Sequence, residues 1–314
     1  MIVKIAGFFD LFTFHTYGAT ALLFGTFSFS GLWMMYIGVS KMYPEKSKLL
    51  ALAILFVPSV VFWGSGILKD SITIGALGFL TFACIQLFYF GNSSIQNWLI
   101  AILSALLIFK IKVYIIICFV PMLFVWIYLI GIKRVKNKLV KFMIAPVLFV
   151  LFASAGYFSL NQIASESDRY ALDQIAERAA ITAYDIRYGW GARSGGDGGY
   201  DLGQLDGTWT SMIRLMPQAI SVSLFRPFLW EAKNPVMLLA AIESLFTLIF
   251  TLVVVFSKGG IGRFVSDPFL VFCVLFSLVF AFAVGISTYN FGTLMRYKIP
   301  ILPFYFSALV LAKK

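Results

Sequence analysis

The chain has 314 residues, of which 61% are hydrophobic and 12% charged, and its formal net charge is +11. Repeated apolar runs of about 18 residues or more exclude an ordinary soluble domain. The positive excess lies mostly in short links between those runs, where it sets orientation in a bilayer and gives no reason to expect nucleic acid.

Residues 1–19 are apolar but interrupted by Lys4, Asp10 and His15, and they lack the clean core and small-residue cleavage site of a signal peptide. A re-entrant or interfacial segment is expected there. Thr20 to Ser40 reads as a first span, followed by the lysine-rich link KMYPEKSK. Leu49 to Ser65 and Ser71 to Phe90 form a pair joined by the turn from Gly66 to Asp70. After GNSSIQN come Trp98 to Phe109 and Val113 to Ile132, separated only by Lys110-Ile111-Lys112. The link KRVKNKLVK holds five basic residues and no acid, the strongest cytoplasmic signal in the chain. Met143 to Leu160 leads into a long polar segment, Asn161 to Pro235, and Val236 to Phe256 leaves it. A basic link, Ser257 to Pro268, precedes Phe269 to Ser287, and Ile299 to Ala312 ends at Lys313-Lys314. Cys84, Cys118 and Cys273 all lie inside apolar runs, so they read as small core or lipid-facing residues and not as disulfides or metal ligands.

Placing 133–142 in the cytoplasm and alternating predicts an all-α, polytopic integral membrane protein of the cell membrane with about nine transmembrane helices. It is read as a single membrane domain over 1–314 with one long extracytoplasmic loop over 161–235 and a cytoplasmic C-terminus. The short links placed inside then carry twelve basic residues in all. An outside N-terminus with no upstream signal leads to the expectation that one or two further helices precede Met1.

The long loop holds nine of the fourteen acidic residues and seven of the twenty-five basic ones, and six of those seven are Arg. A guanidinium binds phosphate or carboxylate oxygens two at a time, which a Lys ammonium cannot do. Ile163 to Trp190 is expected to form an interfacial helix. GWGARSGGDGGYDLGQLDG has eight glycines in nineteen residues and reads as a mobile lid or linker. Its aspartates Asp197, Asp201 and Asp206 lack the EF-hand spacing and read as solvated loop, so no metal site and no cofactor is assigned, and metal dependence stays open. From Trp209 to Trp230 apolar character returns, which predicts re-entry into the interface.

Several residues at the expected outer surface can carry chemistry. PSVVFWGSGILKDS puts Lys69 and Asp70 at the end of a helical hairpin, where Gly64 and Gly66 weaken the helix and free backbone amides. They are either a snorkelling pair or a phosphate or sugar contact. Lys110 and Lys112 read as lysines snorkelling from a tight hairpin. FRPFLWE places Arg226 and Glu231 around a Pro-aromatic turn, with Trp230 offering a surface for a sugar ring. Glu243 lies roughly 12 Å into a span, a costly depth for an ionisable group and a functional candidate by default. Arg296 and Lys298 sit at the mouth of the last span. With Arg214, these cations suit the headgroup of a polyprenyl pyrophosphate, whose tail requires the bilayer. Arg226 and Arg296 are the candidates for stabilising a departing pyrophosphate. Asp10, Asp70 and Glu231 are the candidates for a base.

On PSVVFWGSGILKDS, the long loop ending in FRPFLWE, and MRYKIPILPF, the chain resembles bacterial polysaccharide repeat-unit polymerases and the related C-type glycosyltransferases, which use polyprenyl-phosphate sugars. The resemblance implies transfer or polymerisation of lipid-linked sugars at the outer face of the cytoplasmic membrane for cell-surface polysaccharide. It implies an acidic residue in an early outer loop as base, the place Asp10 occupies, and outer-loop arginines on the diphosphate. The expected partners are the lipid bilayer, a polyprenyl-linked sugar or oligosaccharide, and other glycan-assembly proteins. Two other readings remain: a transporter or flippase of lipid-linked or anionic solutes, which Glu243 would suit, and a non-catalytic subunit of a glycan assembly complex.

Overall fold

A computed structural model describes residues 1–134, 175–188, 199–203, 205–257 and 259–313. Among them every regular element is a helix, and the only β contact is a single bridge between Gly199 and Asn290. Six helices are long and apolar enough to cross a bilayer, or seven if one bent pair is a single span, as in a multi-pass membrane protein. The expected span Met143 to Leu160, most of the link after Ile132 and the Gly-rich residues 189–198 lie outside the described residues.

The chain divides into two compact units. The first comprises Met1–Phe119, Val253–Ser277 and Ile299–Lys314. It opens with α1, Ile2–Thr13, in the segment expected to be re-entrant or interfacial. Phe14 and His15 adopt left-handed backbone, with φ of 50° and 58°, and turn the chain into α2, Tyr17–Met42. The next predicted span is two helices, α3 (Ser47–Leu55) and α4 (Pro58–Gly64), bent by 50°. Pro58 explains the break, because it has no amide hydrogen to give Ile54 and biases Val57 away from helical backbone.

The first long buried helix, α5 (Lys69–Cys84, continued by a π turn over Ile85–Tyr89), packs on α2 almost backbone to backbone. A Cβ built on Gly31 would lie 1.9 Å from the Gly75 carbonyl oxygen, and one on Gly78 would lie 2.2 Å from that of Gly31. Small residues permit this approach, and in lipid, where apolar side chains gain nothing from leaving water, close packing is what holds helices together. The tail of the unit is an aromatic core: Phe119 meets the rings of Phe272, Phe276 and Phe304 with centroids 5.3, 5.5 and 6.2 Å away.

Helix α6, Ile95–Arg134, holds both predicted spans of its region and is divided by one non-helical residue, Lys112 (φ −146°, ψ 76°). Unbroken, its 38 apolar-rich residues would extend about 57 Å, far beyond a hydrocarbon core of about 30 Å.

The second unit comprises Val120–Leu252 and Leu278–Lys298. Its described part holds α7 (Ile175–Tyr188), within the expected interfacial helix, and α8 (Trp209–Phe225), capped at its start by the Thr208 hydroxyl accepting from the Ser211 amide at 3.2 Å. Most of α9 (Pro235–Val255) follows. After α10 (Gly260–Ser266) in the first unit, α11 (Pro268–Thr288) returns to the second, where it crosses α8 closely. A Cβ on Gly285 would meet the Ala219 carbonyl oxygen at 2.2 Å, and the Ser223 hydroxyl donates to the Ala281 carbonyl at 2.7 Å. Helix α12 (Phe291–Tyr297) closes this unit, and α13 (Leu302–Ala312) belongs to the first.

Candidate functional site

The segment after α8 builds a polar cluster among the described residues of the second unit. Pro227 ends the helix at Phe225, Arg226 takes extended backbone (φ −114°, ψ 158°), and the Arg226–Pro227 peptide is cis. A short 3-10 turn, Leu229–Glu231, then brings Glu231 back against the arginine. Its carboxylate accepts from Arg226 Nε at 3.0 Å and from Nη2, and it also accepts the Phe228 backbone amide at 2.8 Å. This is a two-point fork of the kind only Arg makes. Both side chains are mostly buried, at 21% and 17% exposure. Burial raises the pKa of Glu231, but the bonds from Arg226 and the Phe228 amide outweigh it and hold the carboxyl below its usual range.

Three rings surround the guanidinium, with centroids at 5.0 Å (Phe291), 5.7 Å (Phe228) and 5.9 Å (Tyr200). Such contacts fix a cation in place while its remaining donors keep their polarity. Nη1 makes no hydrogen bond among the described residues. Trp230 is 81% exposed and stacks on Phe228, with centroids 4.8 Å apart.

Beneath this cluster the Arg226 carbonyl oxygen accepts from the Ser244 hydroxyl at 3.1 Å and from Lys298 Nζ at 3.3 Å, and Lys298 also donates to Ser244 Oγ at 3.0 Å. Lys298 is 1% exposed, and Glu243, itself buried, interacts with it electrostatically. Lys298 was expected to meet a headgroup. In the structure it fastens the backbone of Arg226 instead, and Glu243 offsets its charge.

Arg226 lines a cleft of about 510 Å³ together with Asp201, Gln218, Ser221 and Phe228. Asp201 arrives there because its neighbours are anchored. Tyr200 and Leu202 are buried, at 6% and 5% exposure, while Asp201 between them is exposed. The Tyr200 amide donates to the Tyr289 carbonyl at 3.2 Å, and the Tyr200 hydroxyl accepts the Tyr289 amide at 3.1 Å and donates to the Gly285 carbonyl at 2.8 Å. The two rings stack 5.6 Å apart, and Tyr289 holds a left-handed φ of 48°. Burial and the charge of Asp201 push the Tyr289 phenol up to about 12, so it stays protonated at neutral pH.

Sequence reasoning singled out Arg226, Glu231, Glu243 and Lys298, and the structure gathers these four in the second unit, with Trp230 beside them. Arg214 is exposed on α8, and Arg296 is half-buried in the last turn of α12. Asp10, Lys69 and Asp70 belong to the first unit. Lys69 is exposed at the start of α5. Asp10 accepts from the Thr20 hydroxyl at 2.9 Å. Asp70 is buried and paired with Lys112, also buried, where a snorkelling lysine was expected. The break of α6 at Lys112 goes with that pairing.

Sequence reasoning missed Tyr200 and Asp201 as parts of a site. The only signal was the alternation Tyr-Asp-Leu inside the glycine-rich stretch, the period of a segment buried on one side. Among the described residues no group of three potential metal ligands converges. No protein-family model, curated protein or solved structure matches the chain.

Proposed function

We propose that this multi-pass membrane protein transfers or polymerises polyprenyl-pyrophosphate-linked sugars at the outer face of the cytoplasmic membrane, in cell-surface polysaccharide synthesis. In this reading the chain has about nine spans, the loop over 161–235 is extracytoplasmic and the C-terminus is cytoplasmic. The observation that carries the proposal is the Arg226 guanidinium, fixed by Glu231 and three rings at the edge of a 510 Å³ cleft with donors to spare. A diphosphate leaving group requires such a preorganised cation, and an exposed Trp230 nearby suits a sugar ring. Asp10, Asp70 and Glu231 are the candidate bases of this reading, with Asp10 alone in the place the resemblance implies; Asp70 is paired with Lys112, and Glu231 is engaged by Arg226.

Mass spectrometry of lipids that co-purify with the protein tests this directly. Polyprenyl-diphosphate sugars should accompany the wild type and fall at least about tenfold for Arg226→Ala, the loss of one charge-assisted contact. Equal retention by both would remove Arg226 from the headgroup site.

One observation favours transport of an anionic solute instead: the buried Glu243 and Lys298 inside candidate spans. Uptake or release of a labelled lipid-linked glycan in proteoliposomes, with no change in its length, would support that reading over transfer.

A further inference from the structure

A second cavity, in the first unit, has a lining that the functional reading does not use. It measures about 250 Å³ and is bordered by Tyr43, Glu45, Lys46, Arg263, Asp267 and Leu311. Its depth follows from the elements that meet there. Tyr43 directly follows the candidate span Tyr17–Met42, Asp267 directly precedes Pro268–Thr288, and Leu311 lies in the last turn of Phe291–Ala312. Ends of candidate spans therefore gather at one cavity, at the level where hydrocarbon gives way to headgroups. Pro44 opens the 3-10 turn Pro44–Lys46, which carries Glu45 and Lys46 to the rim. Lys46 Nζ donates to the Lys313 carbonyl at 3.0 Å, and Arg263 Nη1 donates to the Ala312 carbonyl at 3.0 Å. Both cations are thus anchored at the end of α13, and each keeps further donors. On the acidic side, Asp267 Oδ1 accepts the Tyr43 hydroxyl at 2.7 Å and the Phe269 and Leu270 amides at 2.8 and 3.2 Å, which fixes the carboxylate. Glu45 is exposed and makes no ion pair among the described residues.

We propose that this cavity binds the headgroup of a zwitterionic phospholipid of the phosphoethanolamine class, with Lys46 and Arg263 on the phosphate and Glu45 and Asp267 on the ammonium. The mixture of signs decides the class. A purely anionic headgroup would face the two carboxylates and a purely cationic one the two anchored cations, whereas phosphoethanolamine sets each of its charges against a complement. A primary ammonium also donates hydrogen bonds to carboxylates, which a quaternary ammonium cannot do. Quaternary groups are held instead by cages of aromatic rings, and Tyr43 is the one ring in this lining. Leu311 adds an apolar group suited to the start of the acyl chains. A lipid seated here joins the turn after α2 to α10 and to the ends of α11 and α13, so its binding stabilises the folded unit. The inference does not depend on the transferase reading.

The test uses the full chain in mild detergent, stripped of lipid, with phosphatidylethanolamine, phosphatidylcholine or phosphatidylglycerol added back. Bound lipid is read by native mass spectrometry, and stability by thermal unfolding. Phosphatidylethanolamine is expected to bind at least about tenfold more tightly than the other two and to raise the unfolding temperature. Arg263→Ala should weaken its binding about tenfold, the loss of a charge-assisted contact. Because Arg263 also holds the end of α13, Glu45→Gln serves as a second variant: it leaves that anchor intact and should shift the preference towards phosphatidylglycerol. Soluble phosphoethanolamine at the same concentration should not displace the lipid; displacement would assign the cavity to a soluble ligand of the same chemistry and overturn the lipid assignment. Equal binding of the three lipids by the wild type, or a preference unchanged in both variants, would overturn the inference.

Discussion

Arg226 and Glu231 illustrate how one pair of side chains can be read in both sequence and structure. FRPFLWE places the two five residues apart around a proline, and the structure turns that spacing into a two-point fork. Because the fork depends on a planar guanidinium, Arg226→Lys should behave nearly like Arg226→Ala in glycan assembly, with output down at least about tenfold. Near-normal glycan in the lysine variant would mean that charge alone suffices. The pair also carries a pH signature. Folding lowers the pKa of Glu231, so the unfolded chain binds more protons across the acidic range and stability declines as pH falls. The contribution is complete above the usual glutamate range and is lost as pH drops through the folded value. Thermal unfolding of detergent-purified protein from pH 7 towards pH 3 should show less acid sensitivity in Glu231→Gln than in wild type; identical curves would contradict the assignment.

Asp70 and Lys112 pose the opposite case, for neither the pairing nor its depth could be read from sequence. The two residues are 42 apart, and the spacing of lysines near a hairpin tip is equally that of snorkelling residues. Only the break in α6 turns Lys112 inward. Removing one partner leaves a buried charge, so Asp70→Asn or Lys112→Met should cost about 3–5 kcal/mol, and the double variant should recover much of it. Additive losses in a double-mutant cycle by thermal or denaturant unfolding would show that the residues act separately.

At the scale of elements, the apolar runs located the described spans to within a few residues. Thr20 to Ser40 became α2 with slightly wider ends, Val236 to Phe256 shifted by one residue into α9, and Phe269 to Ser287 gained one residue at each end in α11. Hydropathy reports where a helix is needed, because backbone groups in lipid have to be satisfied internally. It does not report which helices touch. The approach of α2 and α5 depends on Gly31, Gly75 and Gly78, which are ordinary apolar-run glycines until the partner is known. Gly31→Ala and Gly78→Ala should each destabilise the protein by about 2 kcal/mol or more, since the methyl group meets backbone and not a movable side chain. Unaltered melting of either variant would mean that the helices separate without cost. The Gly-rich segment is the element whose sequence reading was least complete. Glycine density predicts mobility, yet Tyr200 fastens its described end to α11 and to the start of α12, and Leu202 is buried beside it.

For the whole molecule, composition pointed to the class, an all-helical multi-pass membrane protein, while the proposed orientation rests on where the lysines lie and is open to direct test. Cys84, Cys118 and Cys273 are buried, so single introduced cysteines give a clean readout of sidedness. In intact cells a membrane-impermeant thiol reagent should label Thr210→Cys on α8 and spare Ser266→Cys in the basic link; the reverse pattern would invert the topology. The candidate site was less legible than the class, because the residues that meet in the second unit come from four separate stretches: Tyr200–Asp201, Arg226–Glu231, Glu243–Ser244 and Tyr289–Lys298. Pattern and spacing within a stretch reveal a helix or a turn, whereas convergence between stretches is a property of the folded chain.

The most direct test of the central claim is a mass profile of polyprenyl-linked and surface glycans in the native host, with the gene deleted and restored as wild type or Arg226→Ala. Deletion and Arg226→Ala are expected to accumulate short lipid-linked intermediates and lose long chains, with single repeat units marking a polymerase and a product short by one sugar marking a glycosyltransferase. An unchanged profile on deletion would contradict the claim.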